Sequence, residues 1–165
     1  MKKWIAALLT MISLLSLAAC QKETPPPQGP AFYYCANEIQ YSMDSVTIQA
    51  EYRQNAAADN LQQMLVKYFA GPSSEELRSP FPSGMKLVEV SQDGDTIYVT
   101  VSDALSTISG LELTLACGCI SMTCMDFTGA EKVVISVRDG LLGGQKSITM
   151  DANTLLLLDT VLEGE

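Results

Sequence analysis

Five cysteines and no histidine set the chemical limits of this 165-residue chain. Without an imidazole, Ser-His-Asp and Cys-His nucleophilic sites, His-ligated metals and His acid–base catalysis are excluded. The thiols stand at Cys20, Cys35, Cys117, Cys119 and Cys124. The last three form C-x-C-x₄-C within a helical pattern, which does not converge on a tetrahedral metal, and the redox spacing C-x-x-C is absent. On a helix Cys117 and Cys124 lie about 10.5 Å apart along the axis, and Cys117 and Cys119 point to nearly opposite sides, whereas a bridge needs Cα atoms within about 7 Å. Only Cys35 could bridge to one of them. The alternative is four reduced thiols, with Cys117 and Cys124 as small core groups and Cys119 on the outer face, open to thiol reagents. The closest carboxylate pairs, Glu75-Glu76 and Asp93/Asp95, fall in a loop and at a hairpin turn, where solvated charge is the ordinary reading, and nothing in their spacing sets them across a cleft. No catalytic residue, metal or cofactor is therefore expected, and the chain reads as a non-enzyme.

Cys20 is a different case. Lys2 and Lys3 precede an uncharged run from Trp4 to Ala19, the basic and apolar parts of an export signal. The run ends in Leu17-Ala18-Ala19-Cys20, which resembles the bacterial lipobox, where small residues admit the peptidase and the thiol receives the lipid. Residues 1–19 are thus expected to be a lipoprotein signal peptide and Cys20 the lipidation site, placing the chain outside the cytoplasm and anchored to the bacterial cell membrane. Residues 20–31 carry Pro25-Pro26-Pro27 and Gly29-Pro30, a semi-stiff tether reaching about 30 Å at polyproline spacing. Ten basic against nineteen acidic side chains give net −9, and loss of Lys2 and Lys3 with the leader leaves −11. Such a surface does not track phosphates, so nucleic acid is not a partner, and an anionic bilayer repels it, so the lipid must be the membrane tie.

These residues need a domain to hold them, and 47% hydrophobic with 18% charged side chains is enough apolar material for one core. Residues 32–35 and 46–52 are β-branched or aromatic strands. A helix over 56–70 follows, with Leu61, Met64, Leu65 and Tyr68 at i, i+3, i+4, i+7 and Gly71-Pro72 as its stop. Residues 73–84, with Pro80, Pro82 and Gly84, read as an irregular surface connection. Strands 86–92 and 96–102 flank Asp93-Gly94 as a tight hairpin. A second helix covers 111–125, with Leu113, Cys117, Ile120 and Cys124 on one stripe, and is closed by Gly129. Strand 132–137 alternates as Val133, Ile135, Val137. Residues 148–158, broken by Asp151-Ala-Asn153, are strand or short helix. The order predicts an α+β fold: a single two-layer domain over 32–165, a mixed sheet of about four to five strands with two helices on one face.

Four segments resemble the GerMN domain of sporulation and spore germination proteins: the helix running into Gly71-Pro72 before Ser74-Glu75-Glu76-Leu77; Pro82-Ser83-Gly84 leading into a strand; the Asp93-Gly94 hairpin returning to Val101-Ser102-Asp103-Ala104-Leu105; and Gly129-Ala130-Glu131-Lys132-Val133-Val134-Ile135 ahead of Asp139-Gly140. The likeness is best supported over 46–140. It implies a small α/β module similar to ring-building parts of the spore envelope, found in lipoproteins or beside cell-wall hydrolase domains, with no recognised catalytic residues. The cysteine-rich second helix departs from that pattern. The resulting expectation is a lipid-anchored, non-enzymatic envelope protein acting in sporulation, germination or envelope assembly, with an envelope protein or peptidoglycan as partner. A sheet edge or the 73–84 loop is the expected contact surface, open also to self-association. The alternative is a solute- or peptidoglycan-binding lipoprotein unrelated to sporulation, with Tyr33, Tyr34, Phe81 and Tyr98 as contacts.

Overall fold

The computed structural model describes residues 29–37, 47–56 and 60–155. Cys20, the export segment and most of the tether lie outside them. Among the described residues seven strands form two sheets. The first has the order β2-β1-β3, from β1 (Ala31–Ala36), β2 (Ile48–Tyr52) and the two-residue β3 (Leu77–Arg78), all antiparallel. The second has the order β4-β5-β6-β7, from β4 (Leu87–Asp93), β5 (Thr96–Val101), β6 (Lys132–Val137) and β7 (Ser147–Asp151). Helix α1 is Leu61–Phe69 and helix α2 is Gly110–Thr128. The α+β class holds, with the strands divided between two sheets rather than gathered in one.

Local chemistry sets the boundaries. Helix α1 starts later than its apolar spacing alone indicates, because Asn60 and Gln63 form a reciprocal capping box that fixes the first turn there. The β4–β5 hairpin pairs Asp93 with Thr96, leaving Gly94 and Asp95 as the turn, and Gly94 has φ +56° where the turn demands a positive value. Strands β5 and β6 are parallel, so the chain must cross over between them, and α2 is that crossover. Gly129 ends α2 in the left-handed conformation and returns its N–H to the Met125 carbonyl at 2.7 Å. The chain then enters β6, and the N–H groups of Glu131, just ahead of the strand, and Lys132, its first residue, both bond to the Asp95 carbonyl at the hairpin.

Helix α2 joins the two sheets. Leu113, Cys117, Ile120 and Cys124 pack with Ile97, Val99, Val101, Val133 and Ile135 of the four-stranded sheet in one continuous core. A second flank lies against β1, where Thr123 accepts the Tyr33 N–H at 3.0 Å and Asp126 accepts the Ala31 N–H at 3.4 Å. The helix is long and apolar enough to cross a bilayer, yet here both flanks are taken by sheets. This corrects the placement of Cys119. It is fully buried beside β1 rather than solvent-facing, because a second layer covers the face that a single-sheet reading leaves open.

The separation into two sheets has a local cause. Past β3, the open edge of β1 is filled by side chains. Tyr33 donates its N–H to Thr123 and its carbonyl accepts the Tyr68 hydroxyl at 2.7 Å, so the groups that would bond a further strand are used. Ring packing finishes the join: Tyr68 lies 5.7 Å from Phe32 and 5.0 Å from Tyr34, measured between centroids.

Candidate functional site

Of the four aromatic side chains considered as ligand contacts, two are structural. Tyr34 is fully buried and its hydroxyl donates to the Tyr68 carbonyl at 2.8 Å. Phe81 meets Tyr68 and Phe69 edge-on, each at 5.1 Å. Tyr33 is half-buried and its main chain is occupied as described. Tyr98 alone is exposed, at 44%. The structure thus brings Tyr34 and Phe81 together on Tyr68 as packing and leaves Tyr98 apart from them.

Residues 73–84 are held at several points along their length. The Glu51 carboxylate accepts the N–H groups of Ser73 at 2.8 Å and Ser74 at 3.0 Å and pairs with the Arg53 guanidinium. Strand β3 then pairs with Cys35 and Ala36, and Asn37 bonds to the carbonyls of Glu76 and Glu75. Burial would raise the Glu51 carboxyl, but hydrogen bonds from Arg53, Ser74 and Ser73 outweigh it and hold it below the ordinary carboxylate range. Arg53 also donates to the Gly71 carbonyl at 2.7 Å and the Tyr34 hydroxyl at 3.3 Å, and stacks 4.7 Å over the Phe32 ring. Sequence reasoning missed this Glu51–Arg53 centre. Its only signal is the spacing of the pair, which puts both residues beside the buried face of an aromatic strand.

The four-stranded sheet has an open outer face among the described residues. Its inner face carries Ile97, Val99, Val133 and Ile135 onto α2, so alternation sends Glu89, Ser91, Tyr98, Thr100, Val134 and Ser136 to the other side. Register places Ser91, Tyr98, Val134 and Thr149 in one row across all four strands. In the next row the Thr100 and Ser136 hydroxyls lie 3.1 Å apart. This surface is mostly polar, with the exposed Tyr98 ring among hydroxyl side chains, and suits recognition by hydroxyl hydrogen bonds and ring contact. Glu75 and Glu76 stand beside β3 and Asp93 and Asp95 at the hairpin, and no group of three or more potential metal ligands occurs among the described residues.

The cysteines divide by the layer they face. Burial alone pushes Cys117 and Cys124 up to about 12, the behaviour of inert core thiols. Cys35 and Cys119 hydrogen-bond to each other between β1 and α2.

The model of the Germane family, described as sporulation and spore germination, matches residues 31–141, from the first residue of β1 to just past β6. The chain belongs to the Germane family. Its relation to the GerMN domain, visible in four sequence segments, therefore extends back to include β1. Among solved structures, the tandem GerMN domains of the sporulation protein GerM from Bacillus subtilis share this fold at 18% identity and TM-score 0.52, covering 78% of this chain and 46% of that one. The Germane chain thus spans about half the length of that tandem structure. A candidate lipoprotein from Clostridium perfringens aligns at 18% identity and TM-score 0.48, covering 75% of this chain and 89% of the other. No curated protein matches the chain.

Proposed function

We propose that this Germane protein is held at the outer side of the cell membrane by a lipid on Cys20 and acts in spore formation or germination by binding another envelope component, without catalysing a reaction. The observation that carries the binding role is the open outer face of the four-stranded sheet, centred on Tyr98 and lined by Ser91, Thr100, Val134 and Ser136. The inner face of the same sheet is sealed by α2, so the outer one is the broad face still available to a partner. The partner is an envelope protein or a second copy of the chain. Membrane attachment rests on the sequence, through Leu17-Ala18-Ala19-Cys20 and the proline-rich tether behind it.

The test combines anchoring with phenotype. A strain lacking the protein should grow normally and lose spore yield or germination, and the wild-type gene should restore it. Cys20→Ala should leave the membrane fraction or accumulate as precursor, and should fail to complement. Normal sporulation and germination in the null strain, or Cys20→Ala still matured and membrane-bound, would overturn this reading. Peptidoglycan cleavage by the purified protein, abolished by one acidic substitution, would replace it with an enzyme.

A further inference from the structure

We infer that Cys35 and Cys119 form a redox site, a dithiol that closes to a disulfide by exchange with an external disulfide and thereby stitches β1 to α2. The two residues come from elements far apart in sequence, and their thiols are free, fully buried and hydrogen-bonded to each other. The register of strand on helix brings them together. Asp126 meets the N–H of Ala31 and Thr123 meets that of Tyr33, so this two-residue step along β1 is matched by three residues of α2 running the opposite way. Two strand residues rise about 6.6 Å and four helical residues about 6 Å, which puts Cys119 opposite Cys35 as the next member of the series. Cys117 and Cys124 are on the flank facing the four-stranded sheet, among Ile97, Val99 and Ile135, where no second thiol is supplied from a strand.

The surroundings also distinguish the two sulfurs in the folded chain. The hydrogen bond from Cys119, together with the Arg78 guanidinium on β3 opposite Cys35, moves the Cys35 thiol down against the effect of its burial, while Cys119 moves up. These shifts belong to the folded chain; once it opens, either thiol can give up its proton and attack one sulfur of the external disulfide, whether of a small molecule or of a thiol oxidoreductase, expelling the other as a thiol. The remaining cysteine then gives up its proton and attacks the sulfur of the first, expelling the second thiol. The pair loses two hydrogens and the external disulfide becomes two thiols. Since both sulfurs are shielded once the chain is folded, exchange takes place on the unfolded or locally opened chain, and the closed bridge is hidden from reductants. The oxidising surroundings that drive closure in the cell rest on the extracytoplasmic reading above.

The experiment uses the full chain in detergent, reduced, unfolded and refolded with oxidised glutathione, then acid-quenched, alkylated under denaturing conditions and digested without reductant. The expected product joins the peptide holding Cys35 to the one holding Cys119, and the oxidised protein melts roughly 10 °C above the reduced form. Cys117→Ala with Cys124→Ala simplifies the assignment, and fragment sequencing of the wild-type peptide gives it independently should that variant not fold. Both thiols alkylated after refolding, a bridge to any other cysteine including Cys20, or Cys35 halted as a mixed disulfide with glutathione would overturn the site. Closure is measured in vitro and anchoring by fractionation, so failure of one is read separately from failure of the other.

Discussion

The Thr123 hydroxyl accepts the backbone N–H of Tyr33 at 3.0 Å, across 90 residues of sequence. The same strand residue accepts the Tyr68 hydroxyl on its carbonyl, and Tyr68 and Thr123 are themselves hydrogen-bonded. Three elements, β1, α1 and α2, thus meet on the main chain of one residue. Each partner is at least partly withdrawn from water, so a missing member leaves a polar group unsatisfied rather than rehydrated.

Thr123→Val keeps the shape and removes the acceptor. It is expected to destabilise the fold by about 1–3 kcal/mol, while Thr123→Ser restores most of the loss. Tyr68→Phe should cost a similar amount. Because the two hydroxyls serve the main chain of one residue, their combined loss should depart from the sum of the single losses by about 0.5 kcal/mol or more in denaturant unfolding. Strict additivity would show that the three groups do not act as a unit.

A second expectation concerns acid. The folded carboxyl of Glu51 is held below its unfolded value of 4.5 by Arg53 and the N–H groups of Ser74 and Ser73, against the effect of burial. A depressed folded value gives stability that is fully present above the unfolded value and is lost as pH falls through the folded one. Glu51→Gln should therefore cost about 1–2 kcal/mol at neutral pH and little at pH 2. Equal destabilisation across that range would place the contribution of Glu51 in packing alone.

How much was legible in the sequence follows from which residues carry one period and which serve two. Ile97, Val99 and Val101, and Val133, Ile135 and Val137, alternate cleanly because each faces a single core, and their strands were readable to within a residue. Helix α2 was readable as a helix but not as a shared one. Its stripe of Leu113, Cys117, Ile120 and Cys124 satisfies a one-face reading, while the small residues Gly118, Cys119, Ser121 and Thr123 are neutral in hydropathy and gave no sign of a second layer. The available signal was charge: no Asp, Glu, Lys or Arg separates Glu112 from Asp126, a span too long for a helix with one wet side. The 73–84 segment misled for the opposite reason. Its prolines and serines mark a loop, and the contacts that fix that loop come from Glu51 and Arg53 on another element. Tyr98 was visible as an aromatic, but its isolation on the outer face depends on strand register, which one sequence does not give.

Core substitutions on α2 should divide by chemistry. Cys117→Ala and Cys124→Ala each remove one buried sulfur and are expected to cost about 1–2 kcal/mol. Ile120→Asp, at an equally buried position in the same cluster, places an unpaired carboxylate there and should cost more than about 4 kcal/mol, enough to prevent folding at ordinary temperatures. Cys117 and Cys124 should both resist thiol reagents until the chain unfolds. Fast labelling of either in the native protein would show that the contact between α2 and the four-stranded sheet opens far more readily than its burial indicates.

Tyr98 provides the sharpest test of the binding surface because its position separates function from folding. The ring is 44% exposed on β5, and its neighbours in the row, Ser91 and Val134, leave its outer side open. Tyr98→Lys should change stability by no more than about 1 kcal/mol, since no core contact is removed. If the outer face is the contact surface, the same change should weaken association at least about tenfold, which corresponds to about 1.4 kcal/mol, because a central aromatic is where binding energy concentrates. Leu111→Lys is the matched control: Leu111 is 69% exposed, but it stands at the start of α2, on the side of the sheet away from Tyr98. Association, whether between copies of the soluble domain in sedimentation or with a partner recovered from envelope extracts, should survive Leu111→Lys and fail with Tyr98→Lys. Equal loss from both would point to net charge rather than to the sheet face, and no loss from Tyr98→Lys would move the contact to the sheet edges, β4 and β7 on this sheet or β2 on the other.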